Sequence, residues 1–424
     1  VATTIKRIIL MSNSVPIQTI IAKRMLSRLQ NKLPMTANAN KDFQAELSDS
    51  QKRAGGIINI TKPPLFNVRS GEVMDIQDTI VPAVSTSLNM FGVDVSASQL
   101  DLQISYDAVQ NGMIDGVLDG AASALAAKIE ADGFALALKV ANVVGTPGTA
   151  ITNPNILATA GAQITSNGGT IGGRNRVALL NSFQNASFAG GTQAFFNPVK
   201  TVSDAYADGF LGQGYGFDCY DEPVAGTFTS GTYGGTPLTN GVLTAGNTIV
   251  TDGWTVTTTT LNVGDTFTIA GCYNRNPQTG LSTGALKNFV VATKTVTDGS
   301  GNSTITIGED GIILTGPRQN VISATGTSVI ADNSAITVTS GASNTTSKQS
   351  LVYDKNAFTF AMVPLAKVPS NMGVMSTVVN DKMSGLSISM KEGYDITNNQ
   401  RVVRFDVLYA WLETYPQIAA RILG

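Results

Sequence analysis

Between Pro223 and Lys348 the chain changes character: Thr, Gly, Ser and Asn take over, helix signals vanish, and short alternating stretches such as 265–270 and 304–307 read as strands. On either side lie segments that read as one interrupted fold. They break off at Gly216-Phe217-Asp218-Cys219-Tyr220 and resume at Asn356-Ala357-Phe358-Thr359-Phe360-Ala361. The pattern predicts a β-rich unit inserted into a second unit, and 424 residues exceed the size at which one core usually keeps growing.

Charged residues make up 14% of the chain, against about 25% in ordinary soluble domains. The hydrophobic share of 42% is normal, and no run is long enough to span a bilayer. Much of the surface is therefore polar but uncharged. Repeated subunit contacts leave such a surface, because an ion buried without a good partner costs more than an amide or hydroxyl. A loop-rich extracellular monomer has the same composition.

The chain contains no histidine, which excludes a Ser-His-Asp triad, a Cys-His pair, a His-rich zinc site and a kinase catalytic loop. Lys-, Tyr- or carboxylate-based chemistry stays open. Two cysteines, Cys219 before the insert and Cys272 inside it, fit neither a disulfide framework nor a metal cluster and read as reduced structural thiols.

Up to Lys62, ten basic residues, among them Lys23, Arg24, Arg28 and Lys32, face only Asp42, Glu46 and Asp49. A basic arm attracts nucleic acid or an acidic partner; scattered Lys and Arg also form plain solvated surfaces. Ser14 and Pro16 read as a helix start, and Ile17, Ile21, Met25 and Leu29 recur on one face beyond it. This amphipathic helix is expected to pack on the subunit or a neighbour rather than to act as a presequence.

From Ile57 to Leu102 the text is strand-like, with Ile58-Asn59-Ile60-Thr61, a turn signal at Arg69-Ser70-Gly71-Glu72, and Val93-Asp94-Val95-Ser96. Pro63, Pro64 and Pro82 remove ladder donors and argue against a central strand. A long two-stranded arm projecting from the body is the expectation. The longest helical pattern runs from Ser105 to about Val143, with Leu118, Ala122, Leu125, Ile129, Gly133, Leu136 and Val140 on one stripe. Gly133 in mid-helix costs about 1 kcal/mol relative to alanine, so a bend or close backbone approach is expected there. Further on, Val177–Leu180 reads as a buried strand, Pro198–Phe210 as a helix, and 358–363, 386–391 and 401–409 as strands. The body is thus α+β, one long helix against antiparallel strands.

The motifs for chemistry are weak. Gly212, Gly214 and Gly216 lack the register and the strand–turn–helix context of a dinucleotide fingerprint and read as a loop. Asp298, Ser300, Asn302 and Glu309 have calcium-loop spacing, but Ser303 stands where Gly is needed, so a hairpin turn at Asp298-Gly299 is expected. Lys128, Glu130 and Asp132 read as solvated or interfacial charges, since successive helical residues point in different directions.

Laid out in order, basic helix, long hairpin, long helix, mixed segment, β insert and returning strands resemble the major capsid proteins of tailed phages, which share the HK97 fold. Within them the likeness is to the P22 coat-protein group, which carries a β-rich insertion in the same place. Three stretches carry it: Val93-Asp94-Val95 through Leu100-Asp101-Leu102; Phe196-Asn197-Pro198 through Asp208-Gly209-Phe210 to Gly216-Phe217-Asp218; and Gly393-Tyr394-Asp395-Ile396 with Arg404-Phe405-Asp406-Val407-Leu408-Tyr409. Inside the insert, Val263-Gly264-Asp265-Thr266-Phe267-Thr268-Ile269-Ala270-Gly271 resembles a recurrent opening of such insertions.

The resemblance implies an α+β, HK97-like capsid fold with an inserted all-β domain. Its parts would be an N-terminal arm (1–56), an extended loop and peripheral strand (57–104), a spine helix (105–153), an axial domain (154–223 and 348–384), the insert (224–347) and peripheral strands (385–424). It implies a structural, non-enzymatic subunit without cofactor or metal, self-assembling into an icosahedral shell around double-stranded DNA. Partners would be copies of itself in pentamers and hexamers, a scaffolding protein, a portal and packaged DNA, with no membrane. Such a protein resides in the virion and assembles in the bacterial cytoplasm. Lys62, Arg69, Glu72 and Asp75 are the candidate inter-subunit contacts, and Lys23, Arg24, Arg28 and Lys32 the candidate inner-face basic residues. The Lys–Asn crosslink of one capsid family is not carried over, because no such pair aligns. The alternative is a secreted surface-layer, pilus or adhesin-type protein, which needs a secretion signal that Val1–Gln30 does not offer; a Lys- or carboxylate-dependent hydrolase comes third.

Overall fold

The structure is a computed structural model that describes residues 17–42, 53–66, 68, 71–72, 81–98, 115–153, 155–170, 175–192, 213–256, 260–308, 311–397 and 400–424. The amphipathic helix spans Ile17–Gln30 and buries Ile21, Met25 and Leu29 against the long helix and the edge of a sheet. Each such side chain removed from water contributes about 1.5–3 kcal/mol. Lys32 N donates to Leu29 O, and Pro34 then opens a short helix, Pro34–Ala37.

The long helix is described over Asp115–Phe134, with Leu118, Ala122, Leu125 and Ile129 buried on the expected stripe. Residues 105–114 of its expected span, and the expected helix Pro198–Phe210, lie outside the described residues. It stops short of Val143: the backbone tightens into a 3-10 turn at Ala135–Lys139, Val140 is extended, and Val143–Val144 forms a strand parallel to Arg421–Ile422. Two β-branched valines, Val143 and Val144, meeting a partner strand outweigh the continuing apolar stripe. Gly133 is a close approach, since a Cβ there would lie 2.8 Å from the Trp411 ring and 3.0 Å from Met35 Sδ.

Two sheets flank this helix. In the five-stranded sheet, Gln400–Glu413 pairs on one side with Asn89–Ser98 and on the other with Leu386–Asp395, which pairs with Met375–Asp381, and, further along, with Phe358–Met362. In the seven-stranded sheet, Thr346–Asp354 lies between Ala419–Leu423 and Arg176–Leu180, every residue of the last two being buried.

Several expectations need correction. The arm is a two-stranded ribbon, but its strands are Ile57–Thr61 and Ala83–Ser87, while Val93–Ser96 belongs to the five-stranded sheet. The strand 358–362, assigned with the axial part, pairs with Gln400–Glu413; the strand 419–423, assigned with the peripheral part, pairs with Thr346–Asp354. Neighbouring strands in sequence thus feed different sheets, which alternation alone cannot reveal. The glycine loop is a tight hairpin, Gln213–Gly214 against Phe217–Asp221, with Tyr215 at φ 53° and Gly216 at φ 81°, the two positive angles of a two-residue turn.

The insert is all β and has its own core, including Ile249, Trp254, Phe267, Ile269, Cys272, Val291, Ile305 and Val321. Strands Thr266–Arg275 and Ser303–Thr306 occupy the stretches expected for them. The chain enters through Thr227–Thr229 and leaves through Thr346–Lys348, which pair antiparallel. One ladder closes both crossings, so the host fold is interrupted at a single point.

Candidate assembly surfaces

The ribbon alternates as its sequence predicts: Ile58, Ile60, Val84 and Leu88 bury against Ala361, Val363, Leu408, Ala410 and Leu412 of the five-stranded sheet. Beyond Thr61 that support ends. Leu65, Phe66 and Val81 stand exposed, and Val68 is 99% exposed. A cluster of large apolar groups on a projecting tip is a surface for another chain to cover.

The candidate contacts fare unequally. Lys62 N donates to Pro82 O, and its ammonium lies 5.4 Å from the Tyr415 ring centroid, so the residue is buried where the ribbon's two strands end and the tip begins. Glu72 is exposed near the tip. Arg69 and Asp75 lie outside the described residues.

Of the basic arm, Arg28 forms an ion pair with Asp119, and Lys32 Nζ donates to Ser123 Oγ at 2.5 Å. The Arg28 guanidinium holds the Asp119 carboxyl below its usual range. These two cations therefore tie the arm helix to the long helix. Arg24 is half-buried, while Lys23 is exposed on the helix's outer side.

A second apolar surface flanks strand Met375–Asp381, the last of its sheet among the described residues. Met372, Met375, Tyr394 and Ile396 are exposed at one end of it, and Met383 in the turn at the other. Both cysteines are free and buried; burial pushes the Cys219 thiol up to about 11 and that of Cys272 to about 12, so neither is a thiolate near neutral pH. Among the described residues no three Cys, Asp or Glu side chains gather as a metal site. Asp298 accepts from Ser300 N and Asn302 N, both at 2.8 Å, closing a turn rather than a cation loop.

The seam between body and insert holds residues that sequence reasoning missed. Arg421 is fully buried; its Nη2 donates to Gly264 O, and its guanidinium lies 5.0 Å from the Phe228 ring centroid. Asp265, also fully buried, accepts from Asn262 N at 2.7 Å, Ser340 Oγ at 2.8 Å and Gly231 N at 2.9 Å. Burial raises the Asp265 carboxyl and lowers Arg421 to about 10, while their opposite charges counteract both shifts. The Gly264-Asp265 opening of the insert is therefore its docking point. A cleft of about 560 Å3 lies beside it, between Lys62, Asn142 and Gln163 of the body and Leu286, Phe289 and Val291 of the insert.

Glu130 contradicts its reading as a solvated charge. It is 1% exposed and accepts hydrogen bonds from the Pro34–Ala37 turn. The signal was its place on the buried stripe, one turn from Ala126 and from Phe134. Lys128 and Asp132 do lie outward as an i,i+4 pair, and Tyr409 Oη donates to Asp132 at 2.7 Å.

The family described as P22 coat protein, gene protein 5, matches residues 10–424. No curated protein matches the chain. Among solved structures, one from Mycobacterium phage Che8 is 9% identical, with a TM-score of 0.43 and coverage of 92% of this chain and 90% of that one. The capsid of Ralstonia phage GP4 is 8% identical, with a TM-score of 0.42 over 89% and 86%. The mature capsid of bacteriophage PhiM1 is 8% identical, with a TM-score of 0.40 over 92% and 86%.

Proposed function

From the premise that the chain belongs to the P22 coat protein family, we infer that it is a structural subunit whose copies close into the icosahedral shell of a tailed phage around double-stranded DNA. The observation that carries the assembly mechanism is the ribbon, rooted on the subunit's own sheet and ending in exposed Leu65, Phe66 and Val68. The order of arm, ribbon, long helix, mixed sheet, insert and returning strands supports the HK97-like arrangement.

A shell requires heterologous contacts that close on themselves. Weak contacts become durable when each subunit engages several neighbours at once. In this reading the tip lies on an adjacent copy, where Arg69, Glu72 and Asp75 meet charges of opposite sign; Lys62 supports the start of the tip. Lys23 and Arg24 remain for an acidic scaffolding segment or DNA, whereas Arg28 and Lys32 act inside the subunit. Pentamers, hexamers, the portal and assembly in the bacterial cytoplasm belong to the same proposal.

Negative-stain microscopy of the full chain co-expressed with its phage's scaffolding protein tests it. Closed shells of uniform diameter are expected, and isolated monomers or fibres would overturn the reading. Phe66→Asp or Arg69→Glu should give folded subunits that fail to close; normal shell yield from both would remove the ribbon from the mechanism.

A further inference from the structure

Glu130 on the long helix and Glu222, the residue just before Pro223 and the insert, are 1% and 2% exposed and face each other. Glu130 is fully supplied with donors: Oε2 accepts from Met35 N at 2.8 Å, and Oε1 from Thr36 N at 3.1 Å and Thr36 Oγ1 at 2.6 Å. Three donors on two oxygens fit a carboxylate, which is acceptor-only. Glu222 differs. Its Oε1 accepts from Val224 N at 3.2 Å, while its buried Oε2 receives no donor. Two anions so placed repel without screening, so one carboxyl keeps a proton. The donor count assigns that proton to Glu222, which gives it to Glu130.

The surroundings supply no compensating cation by ion pairing among the described residues. Tyr353, fully buried in the seven-stranded sheet, has an unpartnered hydroxyl, and Tyr220 and Asp221 come from the strand leading to Glu222. Lys41, beyond the short helix, donates to Ser384 O at 2.8 Å and is lowered by burial, with the Glu130 charge acting against that.

We propose that Glu130 and Glu222 form a one-proton lock joining the N-terminal segment, the long helix and the strand that leads into the insert, so that opening this joint releases one proton. Burial first, and then the Glu130 charge, push Glu222 up to about 8; a solvated glutamate titrates near about 4.3. The closed joint thus holds a proton that the open joint has lost throughout that interval. Opening becomes easier as pH rises from about 4.3 to about 8, by about tenfold per pH unit, and levels off above it, where the closed joint has itself ionised.

Hydrogen exchange of the full chain, corrected for intrinsic rates, reads this at the amides of residues 33–42 and 222–225. The wild type should show opening that rises about tenfold per unit between pH 5 and 8 and then flattens. Glu222→Gln, which keeps a donor toward Glu130 and an acceptor for Val224, should show no such slope. A flat wild-type profile, or the same slope in the variant, overturns the lock. Infrared spectra of the wild type give a readout that needs no variant: a protonated-carboxyl band present at pH 7 and lost through about pH 8 is expected, and its absence at pH 7 overturns the proposal.

Discussion

The body and the insert solve the same folding problem in opposite ways. Every strand pairing of the insert beyond its stem joins residues between 235 and 338. The body instead joins distant segments: Asn40 bridges to Thr359, Asn89 pairs with Tyr409, and Val143 pairs with Arg421. Its seven-stranded sheet has the strand 419–423 in its interior, so the body cannot complete itself until the final residues are present. Closing long loops delays folding more than it weakens the product. The insert is therefore the part that can fold early, and the body the part that waits.

Substitutions in the two cores test that separation. Trp411→Ala should have the largest effect, about 3–5 kcal/mol. Trp411 donates from Nε1 to Ile129 O at 3.0 Å and lies 4.8 Å from the Phe360 ring centroid, so its loss opens the seam between helix and sheet. Denaturant melts should show the loss in the body's transition with the insert's signal unmoved. Ile269→Ala, at a fully buried position of the insert core, should cost about 2–5 kcal/mol, confined to the insert. If both variants shift one common transition equally, the two units are not separable.

Smaller changes sharpen the picture. Gly133→Ala relieves the helix penalty but forces a methyl against Trp411 and Met35, and a net loss of about 1–3 kcal/mol is expected from thermal melts. A gain would mean that the arm yields easily. Lys128→Ala removes an exposed i,i+4 pair with Asp132 and should change stability by only about 0.3–0.5 kcal/mol. Pulse-labelled refolding reads the order directly: amides of 266–275 should gain protection before those of 349–354, and the reverse order would refute early folding of the insert.

The insert was legible because a change in composition over many residues survives any local error, and the apolar Phe267 and Ile269, one residue apart, mark a buried strand. The arm helix and most of the long helix were legible from the 3.6-residue stripe. The helix end was not, since Leu136 and Val140 continue the stripe while their backbone has already left the α-helix. Lys62, expected as an inter-subunit contact, is buried where the ribbon's two strands end, and Glu222, which no motif singled out, is buried as well. A charged side chain carries no local mark of which neighbour will cover it.

Composition and periodicity determined that this chain has an inserted β unit, an apolar-faced basic helix and a long helix set against strands, because each is written in residues close together along the chain. The tertiary structure alone decided that Arg28 and Lys32 hold the arm down, that Asp265 and Arg421 meet at the seam, and that Glu130 and Glu222 share a buried site. Those contacts join positions about 90 or more residues apart, and only the packed backbone sets which charges lose their water together.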